Sequence, residues 1–304
     1  LVSEGTVSMG GMVAAVLLSS RTLAPLAQIA NLFGRANNAK TSYKRLASFM
    51  EETQEDDVSE KNKGAIRREK LGSIEFKDTT YRYPEADLDT LRSINLSVNE
   101  GEKVAILGRN GSGKSTLMKL ASGLFKASDG LVMYDGVDIK QLHTDDLSKS
   151  IGIVLQDVQL FSGSIRENIT MGREDINQDD LINAGKLSGL DDFVSKIPGG
   201  YDLQLSDGGK GLSGGQRQSI ALARAIVHKP THFILDEPTS AMDMNAENIF
   251  ISQMGSIMQD STMLIVTHRM PLLNLVDRII VMNEGQIVED GPKEEIINKL
   301  NQPR

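Results

Sequence analysis

The sequence of 304 residues contains no cysteine and no tryptophan, and aromatic residues make up only 4% of it. The lack of cysteine excludes disulfide bonds, thiolate metal sites and a cysteine nucleophile. The few aromatic residues, set against 28 glycines, favour recognition by glycine-rich loops over aromatic stacking on single-stranded nucleic acid. The formal net charge of −8 also argues against nonspecific binding to a nucleic-acid backbone. We therefore expect no nucleic-acid partner.

The first 50 residues contain an apolar run that is short for a membrane span. Residues 5–20 carry no charge, but crossing a bilayer takes roughly 20 predominantly apolar residues. From Leu23 onward, apolar residues recur every three or four positions, which predicts a long amphipathic helix. Two interpretations stay open: a core helix or coiled-coil arm of a soluble domain, and the cytosolic end of a transmembrane helix that begins upstream of Leu1.

A charged linker and an α/β domain are predicted after this helix. Residues 51–70 are mostly charged and offer almost nothing to bury, which predicts a solvated linker and a domain boundary. From residue 71 to residue 304, short β-like runs alternate with helical stretches and glycine turns. We expect strands at 74–76, 91–98, 103–107, 152–155, 232–235 and 263–267, and a hairpin of 278–282 with 286–289.

The segment from Gly108 to Thr116 has the pattern G-x-x-x-x-G-K-[ST]. It lies between a predicted strand and a predicted helix, which is the context that a phosphate-binding P-loop requires. Glycines let backbone N–H groups turn towards a phosphate, Lys114 reaches the β- and γ-phosphate oxygens, and Ser115 offers its hydroxyl to Mg²⁺. The residues expected to contact the nucleotide are Gly108, Asn110, Gly111, Ser112, Gly113, Lys114, Ser115 and Thr116.

A second candidate segment is the apolar strand that ends in Asp236 and Glu237. Two adjacent acids alone are typical of a solvated strand end, but here they follow a P-loop in the chain and precede Pro238. A buried strand that delivers Asp236 beside a P-loop supplies an oxygen for Mg²⁺, either directly or through water. Glu237, one residue further on, is placed to polarise water towards the γ-phosphate.

A third segment, residues 212–216 with the sequence LSGGQ, is called the signature segment below. Ser213 and two glycines stand at the head of a predicted helix, where a capping hydroxyl and free N–H groups form an anion site. One ATP molecule does not need two such sites from one chain.

Six motifs in this order resemble the nucleotide-binding domain of an ABC transporter, over residues 71 to about 300. They are the P-loop, Gln156 after a strand, the signature segment, ILDE at 234–237, residues 240–243, and Thr267–His268. The resemblance implies a P-loop α/β ATPase fold with a RecA-like core, an antiparallel β subdomain and a helical subdomain, preceded by an amphipathic helix from a membrane domain. It also implies ATP and Mg²⁺ as ligands and ATP hydrolysis as the activity.

The same resemblance implies roles for individual residues. Glu237, His268 and Gln156 form the catalytic set, in which Gln156 touches Mg²⁺ and the attacking water and His268 contacts the γ-phosphate. The metal is held by Ser115, Gln156 and Asp236. Tyr83 stacks on the adenine, with Tyr81 as the alternative that the sequence leaves open.

In this family, two domains enclose ATP head to tail, so that each P-loop faces the partner's signature segment. The resemblance therefore implies a homodimer, since one copy carries both motif sets, and places Asp243 in a loop that crosses the dimer. The signature residues expected at the nucleotide are Ser213, Gly214, Gly215 and Gln216.

The first 30 residues are similar to the last transmembrane helix and cytosolic extension of type I secretion exporters. That similarity implies an inner-membrane exporter with a cytoplasmic ATPase domain, a transmembrane domain on the same chain, a periplasmic adaptor, an outer-membrane channel and a secreted protein as substrate. Exporters of lipids, drugs or peptides remain the alternative. A soluble ABC ATPase of DNA repair is disfavoured because the P-loop and the signature segment are only about a hundred residues apart, and one of translation is disfavoured by the single cassette. A separate importer ATPase is disfavoured by residues 1–70.

Overall fold

The computed structural model describes residues 8–55, 62, 64–84 and 86–301. The chain divides into two compact units, the first ending at Lys63 and the second beginning at Gly64. The linker predicted at 51–70 is described only in part: residues 51–55 are helical, and residues 56–61 and 63 lie outside the described residues. The first seven residues of the predicted membrane-proximal segment also lie outside them.

The described part of the first unit contains one long helix, α1 (Met9–Glu55), with Pro25 in its interior. Large apolar side chains along it, such as Val16 and Phe33, are exposed. The predicted helix is present, but its amphipathic character is weak, because apolar and polar residues mix around the axis over its full length. Within the described ranges, no helix is both long enough and apolar enough to cross a lipid bilayer.

The second unit has an α/β architecture, as the sequence predicts. Its elements in chain order are β1 (Ile74–Tyr81), β2 (Leu91–Val98), β3 (Lys103–Gly108), α2 (Lys114–Ala121), β4 (Asp129–Tyr134), β5 (Val137–Asp138), α3 (Thr144–Ser150), β6 (Ile151–Val154), β7 (Gly163–Ser164), α4 (Ile165–Thr170), α5 (Gln178–Leu187), α6 (Asp191–Val194), β8 (Gln204–Leu205), α7 (Gly214–Ile226), β9 (His232–Asp236), α8 (Met244–Ile257), β10 (Thr262–Val266), β11 (Arg278–Asn283), β12 (Gln286–Pro292) and α9 (Lys293–Asn301). Each predicted strand overlaps an observed one, whereas β4, β5, β7 and β8 were not predicted.

A six-stranded sheet forms the centre of this unit, in the order β12-β11-β3-β10-β9-β6. All neighbouring pairs in it are parallel except β11 with β12. Every residue of β10 is buried: Met263 and Ile265 belong to one hydrophobic core, and Leu264 and Val266 to the other. Such continuous apolar strands are typical of a parallel sheet that is covered on both faces.

The two faces of this sheet are covered by different layers. On one face, an antiparallel sheet in the order β2-β1-β4-β5 shares a core with α2, in which Phe76 and Met118 join Ile106 of β3. On the other face, helices α4, α5, α7 and α8 supply a second core around Phe233 of β9. The carboxyl ends of β3, β9 and β10 therefore emerge between the layers at one edge of the sheet.

Candidate functional site

The P-loop connects the end of β3 to the start of α2. Gly108 and Gly113 have φ angles of 152° and 98°, which side chains rarely adopt. A Cβ at Gly108 would collide with the carbonyl oxygen of Met282, and one at Gly113 would lie 2.6 Å from the Leu91 side chain. Because of these close approaches, only glycine fits at these two positions, and the loop passes close to its neighbours directly before the N-terminus of α2.

Lys114 is the cation of this loop. Its Nζ donates to the carbonyl oxygens of Gly108 at 2.8 Å and Arg109 at 3.0 Å. Burial lowers the pKa of Lys114, and the carboxylates of Asp236 and Glu237 act in the opposite direction. The ammonium is therefore partly desolvated and is satisfied mainly by neutral carbonyls, so an anionic ligand would stabilise it.

Asp236, at the end of β9, is a buried acid with 2% of its surface exposed. Burial raises the pKa of Asp236, and the neighbouring Glu237 adds to the effect, while a hydrogen bond from Ser115 and the charge of Lys114 oppose it. A carboxylate whose ionised form is destabilised in this way gains from a divalent cation. Carboxylate and hydroxyl oxygens are ligands that Mg²⁺ prefers, so Asp236 and Ser115 fit this ion.

Glu237 leaves the strand through an unusual backbone conformation, with φ at 48°. Its N–H donates to the carbonyl of Val266 at 2.9 Å, and Gln218 Nε2 donates to its carbonyl at 3.3 Å. A positive φ at a residue other than glycine is costly and is typical of functional sites. The Glu237 carboxylate Oε1 lies 3.5 Å from His268 Nε2, which follows β10.

A cavity of about 490 Å³ brings most of the predicted residues together. Of the residues predicted for the site, it is lined by Tyr83, Asn110, Gly111, Gly113, Lys114, Ser115, Thr116, Gln156, Asp236 and Glu237. Thr90 and Val266 also line it and were not predicted. Gly108, Ser112 and His268 lie next to the lining, in the loop and at the Glu237 carboxylate. The volume lies in the range of small-molecule sites.

The two candidate tyrosines have different surroundings. Tyr81 is 8% exposed and stacks on Phe125 with ring centroids 5.1 Å apart, inside the core. Tyr83 lines the cavity, and its hydroxyl lies 3.2 Å from Thr116 Oγ1. This placement favours Tyr83, whose contact with a base stays a prediction.

The signature segment starts α7 and lies apart from this cavity. Ser213 caps the helix: its Oγ accepts from the Gln216 N–H at 3.2 Å, and its own N–H donates to Gln216 Oε1 at 2.8 Å. Gly214 packs on Ala241, where an added Cβ would lie 3.0 Å from the alanine Cβ. Asp243 in turn caps α8 through the Ala246 N–H. Among the described residues that line the cavity, none comes from 212–216.

Comparison with known proteins agrees with this geometry. A family model described as ABC transporter matches residues 91–240, which span the P-loop, Asp236 and Glu237. Residues 91–240 form a domain of the ABC transporter family.

The similarity to known proteins extends beyond the residues that match the family model. The chain is 38% identical over 302 residues to the leukotoxin translocation ATP-binding protein of Mannheimia glucosida, covering 99% of this chain and 42% of that protein. It is 37% identical over 297 residues to the leukotoxin export ATP-binding protein of Aggregatibacter actinomycetemcomitans, covering 98% of this chain and 41% of the relative. The chain therefore spans about two fifths of the length of these relatives.

A solved structure of a bacterial Atm1-family ABC exporter with ATP bound is similar to the ABC transporter domain. The TM-score is 0.70 and the identity 31%, over 76% of this chain and 40% of that one.

Asp236→Asn should raise the free energy of unfolding of the nucleotide-free chain at neutral pH, because it removes a buried charge and keeps an acceptor for Ser115. Since the pKa of Asp236 is raised above its ordinary value of 3.8, the penalty exists above the folded-state pKa and vanishes as the pH falls below 3.8. The advantage of the variant should therefore shrink on acidification, as measured by urea unfolding at several pH values. The exposed Asp87→Asn is the control, and a variant less stable than the wild type at neutral pH would contradict this account.

Proposed function

We propose that this chain is the ATP-hydrolysing part of an exporter, and that the whole protein moves a secreted protein out of the cell by type I secretion. The proposal is carried by one observation: a cation, a buried acid and a second, partly buried acid converge on a single cavity of a chain that is 38% identical to a leukotoxin translocation protein. The reaction is ATP plus water to ADP plus phosphate, coupled to transport.

Each residue of the cavity has a distinct task in this proposal. Lys114 and the N–H groups of the P-loop bind the β- and γ-phosphates. Ser115, Gln156 and Asp236 hold Mg²⁺, which neutralises negative charge on the phosphates when it is bound. Glu237 polarises water and accepts its proton, while the water oxygen bonds to the γ-phosphorus and the bond to the bridging oxygen of ADP breaks; the proton then passes to solvent. His268, 3.5 Å from Glu237, orients that carboxylate and contacts the γ-phosphate.

The complete site needs a second copy of the chain. The signature segment presents a helix N-terminus, with Ser213, Gly214, Gly215 and Gln216, but lines no part of the cavity described in its own chain. In a head-to-tail homodimer this N-terminus would close over the γ-phosphate of the partner, so that ATP occupancy and closure are one event.

The remaining assignments concern the whole protein. Residues 1–50 form the end of the last transmembrane helix and its cytosolic extension, 51–70 a linker, and 71–304 the nucleotide-binding domain. The exporter lies in the inner membrane with this domain on the cytoplasmic side, and works with a periplasmic adaptor and an outer-membrane channel. Export of a lipid, drug or peptide is the second candidate, because the likeness to an Atm1-family ABC exporter indicates an exporter and does not specify the cargo. A soluble non-transport ABC ATPase is the third and is the least supported.

Glu237→Gln should reduce ATP hydrolysis by about two orders of magnitude or more and leave ATP binding nearly intact, because only the water-polarising carboxylate is lost. Lys114→Ala should instead weaken ATP binding roughly tenfold to a hundredfold, because it removes a charge-assisted contact. Phosphate release and equilibrium ATP binding measure the two effects. Wild-type hydrolysis by Glu237→Gln would refute the catalytic assignment.

Mixing two inactive variants should restore hydrolysis if the site is shared. Ser213→Arg blocks the signature segment and Lys114→Ala disables the P-loop, so an equal mixture contains mixed dimers with one intact site. Random exchange predicts about a quarter of wild-type activity. Steady-state hydrolysis of each variant and of the mixture is the measurement, and no recovery in a mixture shown to exchange subunits would exclude a shared site.

Protein export is tested in cells that carry the complete protein. Glu237→Gln in the full-length gene should remove at least one protein from the culture medium and retain it in the cells, because closure without hydrolysis stalls the transport cycle. Quantitative mass spectrometry of medium and cells measures this, with Asp87→Asn as the control. An unchanged set of secreted proteins, with lipids or drugs retained instead, would favour the second candidate function.

A further inference from the structure

A buried acid outside the predicted site lies on the first turn of α8. Glu247 is 5% exposed, and its Oε1 accepts a hydrogen bond from Thr239 Oγ1 at 2.7 Å. The same oxygen lies 3.0 Å from Arg269 Nη1. A buried carboxylate is stable only when it is paired and hydrogen-bonded, and here both partners come from other segments.

Arg269 directly follows His268 and extends across to residues 239–243. The side-chain Nη2 of Arg269 donates to the carbonyl oxygens of Ser240 and Met242 at 3.3 Å each, and its backbone N–H donates to Thr267 Oγ1 at 3.0 Å. A guanidinium holds several donors in one rigid plane, so one side chain fixes a carboxylate and two carbonyls together. Lysine could not reproduce this arrangement.

These contacts join three parts of the proposed catalytic site. Residues 239–243 follow Glu237 in the chain and place Ala241 against Gly214 of the signature segment. Arg269 follows His268, which lies 3.5 Å from the Glu237 carboxylate. Glu247 and Arg269 therefore connect three parts of the chain: the segment that carries Glu237, the segment that carries His268, and the loop of residues 239–243, which packs against the signature segment.

We propose that Glu247 and Arg269 are positioning residues for ATP hydrolysis, which set the distance between His268 and Glu237 and hold residues 239–243 against the signature segment. Both side chains act through protein groups: Arg269 holds the carbonyl oxygens of Ser240 and Met242, and Glu247 accepts from Thr239. This inference rests on the proposed ATPase function. A positioning role explains why α8 buries an acid, whose desolvation costs free energy that an apolar side chain would not cost.

The test compares Arg269→Gln, Glu247→Gln and the double variant of the 304-residue chain. We expect kcat for ATP hydrolysis to fall about tenfold to a hundredfold in each single variant, because small misplacements of catalytic groups have effects of this size. The Kd for ATP should change less than about threefold, since the groups that bind the phosphates are untouched. The double variant should be no slower than the slower single variant, because the two residues act as one unit.

Arg278→Gln is the matched control. Arg278 also joins several segments, with Nε 2.6 Å from Asp290 Oδ1 and Nη1 2.9 Å from Glu102 Oε1, but it does not line the cavity. The Arg278→Gln variant should lower the urea midpoint of unfolding and leave kcat unchanged at temperatures where the protein is folded. If Arg269→Gln behaves in the same way, or if kcat and ATP affinity fall together, the pair is structural and the inference is wrong.

Glu237→Gln, measured in parallel, separates the two levels of the proposal. If Glu237→Gln is inactive while both single variants keep wild-type kcat, the ATPase function stands and the positioning role is refuted. If the wild-type chain binds ATP without hydrolysing it, or Glu237→Gln retains full activity, the proposed function fails, and the positioning role fails with it.

Discussion

The parallel pairing of β10 with β3 and β9 is the constraint on which the site depends. Val266, the last residue of β10, pairs with Ile106 on one side and with Asp236 on the other. Strands β9 and β10 therefore end at one level, and β3 ends two residues further on, at Gly108. The P-loop, the two acids and His268 thus leave the sheet at the same edge. A shift of one residue would exchange Leu264 and Val266 with their neighbours between the two cores, so core packing fixes the register.

That edge holds charges that the fold alone does not stabilise. Burial lowers the pKa of Lys114 and raises the pKa of Asp236, so in each case the charged form is the disfavoured one. The two side chains attract each other, yet this attraction does not cancel the desolvation of either group. A ligand with phosphates and a divalent cation would supply the missing partners to both. These two charges therefore lower the stability of the ligand-free protein and would favour binding of such a ligand, which is common at functional sites.

The sequence predicts those parts of the site whose spacing dictates a local backbone conformation. The P-loop pattern implies a strand, a tight turn and a helix, and all three are present around Gly108 and Lys114. The choice between Tyr81 and Tyr83 depends on where β1 ends, which the sequence does not show: Tyr81 is the last residue of the strand and lies in the core, whereas Tyr83 follows the strand and lines the cavity. The ion pair of Glu247 and Arg269 could not be predicted, because it joins residues that are distant in the sequence. The positive φ of Glu237 could not be predicted either, because glutamate rarely adopts this conformation. Strands β4 and β5 were missed because aspartates and glycines interrupt their short apolar run.

The N-terminus of α7 can serve its own helix and a second molecule at once. The Ser213 hydroxyl accepts from the Gln216 N–H, which uses one lone pair and leaves its own proton free. In the proposed dimer that proton would be donated to a phosphate oxygen of the partner's ATP without breaking the cap. Gly214 packs on Ala241, and residues 239–243 continue from Glu237, so the signature segment contacts the part of the chain that follows the proposed catalytic carboxylate. In the proposed dimer, the helix N-terminus that would meet the partner's ATP therefore packs against the segment that follows Glu237, and close-packed groups of this kind cannot be displaced independently of each other.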